Sequence, residues 1–177
     1  MKRGMQEHAG LVTLKGTPVT LLGTSVAVGD KAPGFRVVDA QFAAVDLAQF
    51  RGQPCLISVV PSLDTGVCAA QTHRFDEEVQ RLPADAVIMT VSMDLPFAQK
   101  RFCESEKVGR IRVYSDHVWR EFGLNYGVLI KDMGLLARSV FVIDRNGVVS
   151  YRQLVREVTE HPDYEAALAA VRRAAAA

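Results

Sequence analysis

The chain has 177 residues, of which 49% are hydrophobic and 23% charged, with a formal net charge of +1. A length of this order is expected to form one domain, able to bury roughly 70% of the surface that its unfolded form exposes. The balanced charge offers no polycationic field for a phosphate backbone, so neither nucleic acid nor an anionic membrane is expected as a partner.

The chain opens with basic residues, Lys2 and Arg3, but no apolar core of signal-peptide length follows them. A cytoplasmic protein is therefore expected. Leu11 to Lys15 and Val19 to Leu22 alternate in hydropathy around Gly16-Thr17-Pro18 and read as a β-hairpin. Phe35 to Val38 and Val45 are weak strand signals, and Leu47 to Gly52 reads as a helical turn closed by glycine.

Cys55 to Val60 is a near-continuous apolar run of strand length, the pattern of a central strand covered on both faces. It ends at Pro61, far short of the ~20 residues that a membrane span requires. Thr65 to Leu82 places Val67, Phe75, Val79 and Leu82 at helical spacing, with the charged residues mostly elsewhere, and Pro83 stops the helix. Strand Ala86 to Ser92, helix Pro96 to Glu106, strand Ile111 to Tyr114 and a short helix over Val118 to Phe122 follow. Ser139 to Asp144 and Val148 to Tyr151 flank an Asn146-Gly147 turn, and a last helix starts near Pro162. The order predicts an α/β domain whose central mixed β-sheet is flanked by helices and preceded by a hairpin.

Cys55, Cys68 and Cys103 are too few for a secreted disulfide scaffold. No Cys-x-x-Cys pair exists, and His8, His73, His117 and His161 lack ligand spacing, so no metal is expected. The same spacing argues against thioredoxin-type disulfide exchange, because Cys68 is followed by Ala69-Ala70-Gln71.

Cys68 lies where the buried strand ends and a helix begins, with Asp64 or Thr65 available as N-cap. In a first helical turn, free N–H groups and the positive end of the macrodipole favour an anion. A thiolate so placed can attack the O–O bond of a hydroperoxide and become a sulfenic acid. Position alone reads equally well as a small buried apolar residue. Thr65, three residues earlier, is either a simple cap or a hydroxyl donor to the sulfur and the incoming peroxide. Pro61 is either a strand terminator or a shield of the sulfur from water. Arg138 precedes a strand, where its guanidinium could serve a thiolate, although a surface or carboxylate-paired arginine is the commoner fate. Cys103, next to Phe102, reads as core packing, and so does Cys55 inside its strand.

Pro61-Ser62-Leu63-Asp64-Thr65-Gly66-Val67-Cys68-Ala69-Ala70 closely resembles the active-site segment of bacterial thiol peroxidases, the atypical two-cysteine peroxiredoxins. The segments Asp94 to Cys103, Leu136 to Arg138 and Pro162 to Leu168 agree with that family. The resemblance implies a thioredoxin-like fold, a homodimer, and a catalytic group of Pro61, Thr65, Cys68 and Arg138. It also implies that Cys68 is oxidised by a hydroperoxide, that Cys103 of the same chain resolves the sulfenic acid as a disulfide, and that thioredoxin reduces the product. No metal, haem or flavin takes part in such a cycle. The stretch Lys131 to Leu135 is shorter than usual for the family. Residues 1–10 lie outside the match and are expected to be disordered, which leaves 11–177 as the domain. A redox-sensing protein that uses the same two cysteines as a switch is the alternative reading.

Overall fold

The apolar run before Pro61 forms β5 (Cys55–Val59), every residue of which is buried. The computed structural model, which describes residues 5–176, builds two sheets around it. The larger has the order β11-β10-β5-β6-β7-β3-β4. Here β3 is Arg36–Val38, β4 Ala44–Asp46, β6 Val87–Ser92, β7 Arg112–Ser115, β10 Ser139–Ile143 and β11 Val149–Leu154. Strands β5, β6 and β7 run parallel, while β10 is antiparallel to β5, so the sheet is mixed as expected. Alternate residues of β5 enter two separate cores. Leu56, and Val60 just beyond the strand, face the cluster formed with α1 (Gly66–Glu78), α2 (Pro96–Glu106) and α4 (Tyr164–Ala176). Cys55, Ile57 and Val59 face the other cluster, which takes in Leu21, Phe122, Tyr126 and Phe141.

That second face is covered by α3 (Glu121–Asn125) and by a smaller sheet of order β1-β2-β8-β9. The hairpin β1 (Glu7–Leu14) and β2 (Thr17–Leu22) is joined in it by two very short strands, β8 (Leu129–Ile130) and β9 (Leu135–Leu136). A run of two residues cannot display the alternation that marks a strand, and neither β8 nor β9 is visible as a sequence pattern. Strand β9 leads directly into Arg138, so this residue sits at the seam between the two sheets.

The expectation of disorder over residues 1–10 is corrected for the later part of that stretch. Glu7, His8 and Ala9 pair with Leu22, Leu21 and Thr20, and the His8 ring bonds the Gly23 carbonyl at 3.0 Å. Cross-strand hydrogen bonds extend the hairpin beyond its apolar alternation; residues 1–4 lie outside the described residues. The short helix starts at Glu121 rather than Val118, because Arg120 takes left-handed backbone angles and the Asp116 carboxylate caps the Phe122 and Gly123 N–H groups. The buried face of α1 also differs from the apolar stripe expected for it, since it carries Gln71, Thr72, Asp76 and Glu78 beside Cys68 and Phe75. Buried polar groups need partners. Asp76 accepts the N–H groups of Gly109, Arg110 and Ile111, and Gln71 reaches toward Arg138.

Candidate active site around Cys68

Strand β5 delivers the chain to Pro61, which is buried, and the turn Ser62 to Thr65 then starts α1. Thr65 occupies the N-cap position with extended backbone angles, yet its side chain makes no capping bond. The hydroxyl donates instead to Cys68 Sγ at 2.7 Å, with the Ser62 carbonyl as a second acceptor at 3.1 Å. One proton serves two acceptors, so the hydroxyl can turn between them. The first helical bond, from Ala69 N–H to the Thr65 carbonyl, leaves the N–H groups of the residues up to Cys68 without a partner inside the helix.

Arg138 approaches the same sulfur from the seam of the sheets. Its Nη2–H donates to Cys68 Sγ at 3.2 Å, Nη1–H to Gln71 Oε1 at 2.7 Å and Nε–H to the Val158 carbonyl at 2.8 Å. Gln71 is held in turn by its bond to Ser58 Oγ on β5, at 2.8 Å. The guanidinium is only 2% exposed, and none of the ion pairs among the described residues includes it. A buried cation requires a counter-charge nearby. The side-chain groups within bonding distance of it are the Gln71 amide and the Cys68 sulfur.

The loop itself is clamped by Asp94, which follows β6. Its carboxylate accepts Ser62 Oγ–H at 2.7 Å, the Leu63 N–H at 2.8 Å and Ser92 Oγ–H at 2.8 Å. Tyr164, at the start of α4, packs edge-on to Phe75 and bonds His161 Nδ1 at 2.7 Å. Burial raises the Tyr164 phenol, offset in part by the positive charges of Arg138 and Arg74. Cys68 is fully buried whereas Thr65 is exposed, so the hydroxyl links the sulfur to solvent.

The other two thiols stand apart. Cys55 belongs to the opposite core, donates only weakly to the Gln53 carbonyl at 3.5 Å, and has its pKa pushed up to about 12 by burial. Cys103 is half-buried on α2 and lines a groove of about 330 Å³ with Gln99, Lys100, Val108 and Ile111. Burial, followed by the charges of Asp76 and Glu104, raises its pKa. Asp76 holds the 109–111 backbone beside that groove and lies eight residues beyond Cys68, about 12 Å along α1 at 1.5 Å per residue. All three cysteines are free. Thr65, Cys68 and Arg138 thus converge, Pro61 precedes them in a buried position, and Cys103 lies toward the other end of α1.

Gln71, Ser58, Asp94 and the Val158 carbonyl complete the site without having been singled out in the sequence. The signal for Gln71 was present, as a polar residue on a helix face that must be buried. A backbone carbonyl such as that of Val158 leaves no trace in residue identity.

Comparison with known proteins agrees along the chain. The model of the Redoxin family matches residues 27–168. The thiol peroxidase of Staphylococcus saprophyticus is 50% identical over 161 residues, covering 91% of this chain and 97% of that protein. The thiol peroxidase of Bacillus subtilis is 50% identical over 154 residues, covering 87% and 92%. Among solved structures, a peroxiredoxin-like protein from Aquifex aeolicus superposes with a TM-score of 0.87 at 43% identity, covering 94% of this chain and 99% of that one. The mixed sheet with flanking helices is the thioredoxin-like fold of these relatives.

Proposed function

Because the chain belongs to the thiol peroxidases of the Redoxin family, and is thus an oxidoreductase that reduces peroxides, we propose that Cys68 is its peroxidatic nucleophile and Cys103 its resolving thiol. The observation that carries the first assignment is the buried Arg138 guanidinium, which has Cys68 Sγ at 3.2 Å and no carboxylate partner among the described residues. Positive charge and preorganised donors aimed at a sulfur stabilise its anionic, nucleophilic form.

In the first step the Cys68 thiolate attacks one peroxide oxygen, the O–O bond breaks, and the departing alkoxide or hydroxide takes a proton. The products are a sulfenic acid and an alcohol or water. The Thr65 hydroxyl, able to turn away from the sulfur, holds the incoming peroxide. Arg138 neutralises the charge that moves from sulfur to the leaving oxygen, and Pro61 keeps the base of the site dry. In the second step the Cys103 thiol condenses with the sulfenic acid, forming the S–S bond and releasing water. A dithiol protein of the thioredoxin type then returns both thiols by exchange, so hydroperoxide and thioredoxin are the two partners in turnover. The enzyme is read as a cytoplasmic homodimer.

A disulfide needs Cα atoms about 4.4–6.8 Å apart, and in this reading unwinding of the first turn of α1 or of part of α2 brings the two sulfurs together. The test is the Cys103→Ser variant. Sulfenic acid should form on Cys68 at near wild-type speed, while turnover with thioredoxin and its reductase collapses and excess peroxide drives Cys68 to sulfinic acid. Normal cycling of that variant, or an intermolecular disulfide in the oxidised wild type, would show that the assigned resolving step is wrong.

A further inference from the structure

The N-terminal hairpin lies before residue 27, where the Redoxin match begins, yet it reaches the support of the active-site arginine. Thr13 on β1 bonds the loop that follows β11 on both sides of Glu157. Its N–H donates to the Arg156 carbonyl at 2.7 Å, and its carbonyl accepts the Val158 N–H at 2.8 Å. The Val158 carbonyl is the acceptor for Arg138 Nε–H.

Glu157 fastens this junction. One carboxylate oxygen accepts the Lys15 N–H at 2.9 Å, the Thr159 N–H at 3.0 Å and the Thr159 hydroxyl at 2.8 Å. The other accepts the Thr13 hydroxyl at 2.7 Å and the Gly16 N–H at 2.9 Å. None of the ion pairs among the described residues uses this carboxylate, so its charge is met by neutral donors of the hairpin turn and of its own loop. Those hydrogen bonds, the Gly16 N–H first, hold the carboxyl well below the usual range. The turn is shaped to supply them: Lys15 and Gly16 both adopt positive φ, at 50° and 79°, which aims consecutive N–H groups at one oxygen pair.

A guanidinium is rigid and planar, so fixing two of its nitrogens fixes the third. Gln71 holds Nη1 and Val158 holds Nε; Nη2 then points at Cys68. We propose that Glu157 is a positioning residue for peroxide reduction: by tying the β1–β2 turn to the loop around Val158, it sets the direction in which Arg138 meets the Cys68 sulfur. This inference rests on the Cys68–Arg138 reading above.

The test is a double-mutant cycle on the second-order rate of Cys68 oxidation by hydroperoxide, measured in the full chain by stopped flow. Glu157→Gln keeps the size of the side chain but turns an amide NH₂ toward donors. It should slow oxidation about 10-fold, the lower end of what loss of an orienting partner costs in other sites. In an Arg138→Met background the same change should cost less than about twofold, because interacting sites are not additive. Thr13→Val, which removes one donor and leaves the carboxylate, should cost about threefold and show the same dependence on Arg138; it carries the cycle if Glu157→Gln does not fold. An equal loss in both backgrounds would make Glu157 a general support of the fold and overturn the proposal, as would an unchanged rate in both Glu157→Gln and Thr13→Val. If Arg138→Met alone left the rate unchanged, the Cys68–Arg138 reading would fail first, and this proposal with it.

Discussion

Cys55 opens the strand and Cys68 lies in the first turn of the helix of the same strand-to-helix unit, on opposite sides of one sheet, and both are almost completely buried. Their surroundings have little else in common. Cys55 is packed among apolar side chains, and burial, opposed in part by the charge of Arg112, pushes its pKa up to about 12. Cys68 receives a hydroxyl at 2.7 Å and a guanidinium at 3.2 Å. Burial therefore does not distinguish the two thiols; the donors aimed at the Cys68 sulfur do, and the proposed assignment of the nucleophile rests on them. Lining a cavity is no guide either, since Cys55 lines one of about 590 Å³.

Breaking this contrast should have its largest effect at Arg138. Arg138→Met keeps an apolar stem of similar length but removes the buried charge and its donors. Oxidation of Cys68 by hydroperoxide should slow by at least about 10²–10³, the range found when one preorganised donor is lost. Stopped-flow kinetics on the folded variant would measure it, and a change smaller than twofold would remove Arg138 from the mechanism.

Thr65→Val tests the second donor with little change in shape. Its rate should fall by about 10², whereas Thr65→Ser, which keeps the hydroxyl, should stay within about fivefold of wild type. Since the hydroxyl makes no capping bond, the valine variant should lose little thermal stability. A melting loss with unaltered kinetics would mean that Thr65 serves only the helix.

The smallest effect is expected at Cys55. Cys55→Ser should retain peroxide turnover and lose about 1 kcal/mol of stability, since a hydroxyl is more costly than a thiol to bury without a good partner. That corresponds to about 2–4 °C in melting temperature for a chain of this size. The thiolate is the nucleophile that iodoacetamide alkylates, and a thiol with its pKa pushed up to about 12 supplies almost none at pH 8. Cys55 should accordingly resist iodoacetamide in the native protein at pH 8 and react only on unfolding, a result readable by intact mass.

The same contrast separates what was legible in the sequence from what was not. Strand β5 and the helix after it announce themselves by an apolar run, a proline and a capping residue, and that boundary brings Thr65 and Cys68 within one turn. Arg138 is different. It is 70 residues from Cys68 in the chain and reaches it only because β9 and β10 meet at the seam of two sheets. Its residue type suggested a surface position, and only the family resemblance singled it out. The strands that create the seam, β8 and β9, are two residues each and carry no readable period. Asp94 is hidden for another reason: its role consists of bonds to a loop, which no local pattern encodes, whereas Gln71 is legible as a polar residue on a buried helix face but not by its partner Arg138. Residues 7–9 are ordered by strand pairing with β2, which their own hydropathy does not reveal.

The claim that donors, rather than burial, select the reactive thiol is tested most directly by mapping where the first oxidation falls. Cys103→Ser protein would be treated with one equivalent of hydroperoxide in the presence of a 1,3-diketone that traps sulfenic acid, then digested and sequenced by mass spectrometry. The adduct should appear on Cys68 alone, with Cys55 recovered as the free thiol, and it should be largely lost at matched time when Arg138→Met is added. An adduct on Cys55, or equal trapping at Cys68 with and without Arg138, would contradict the account.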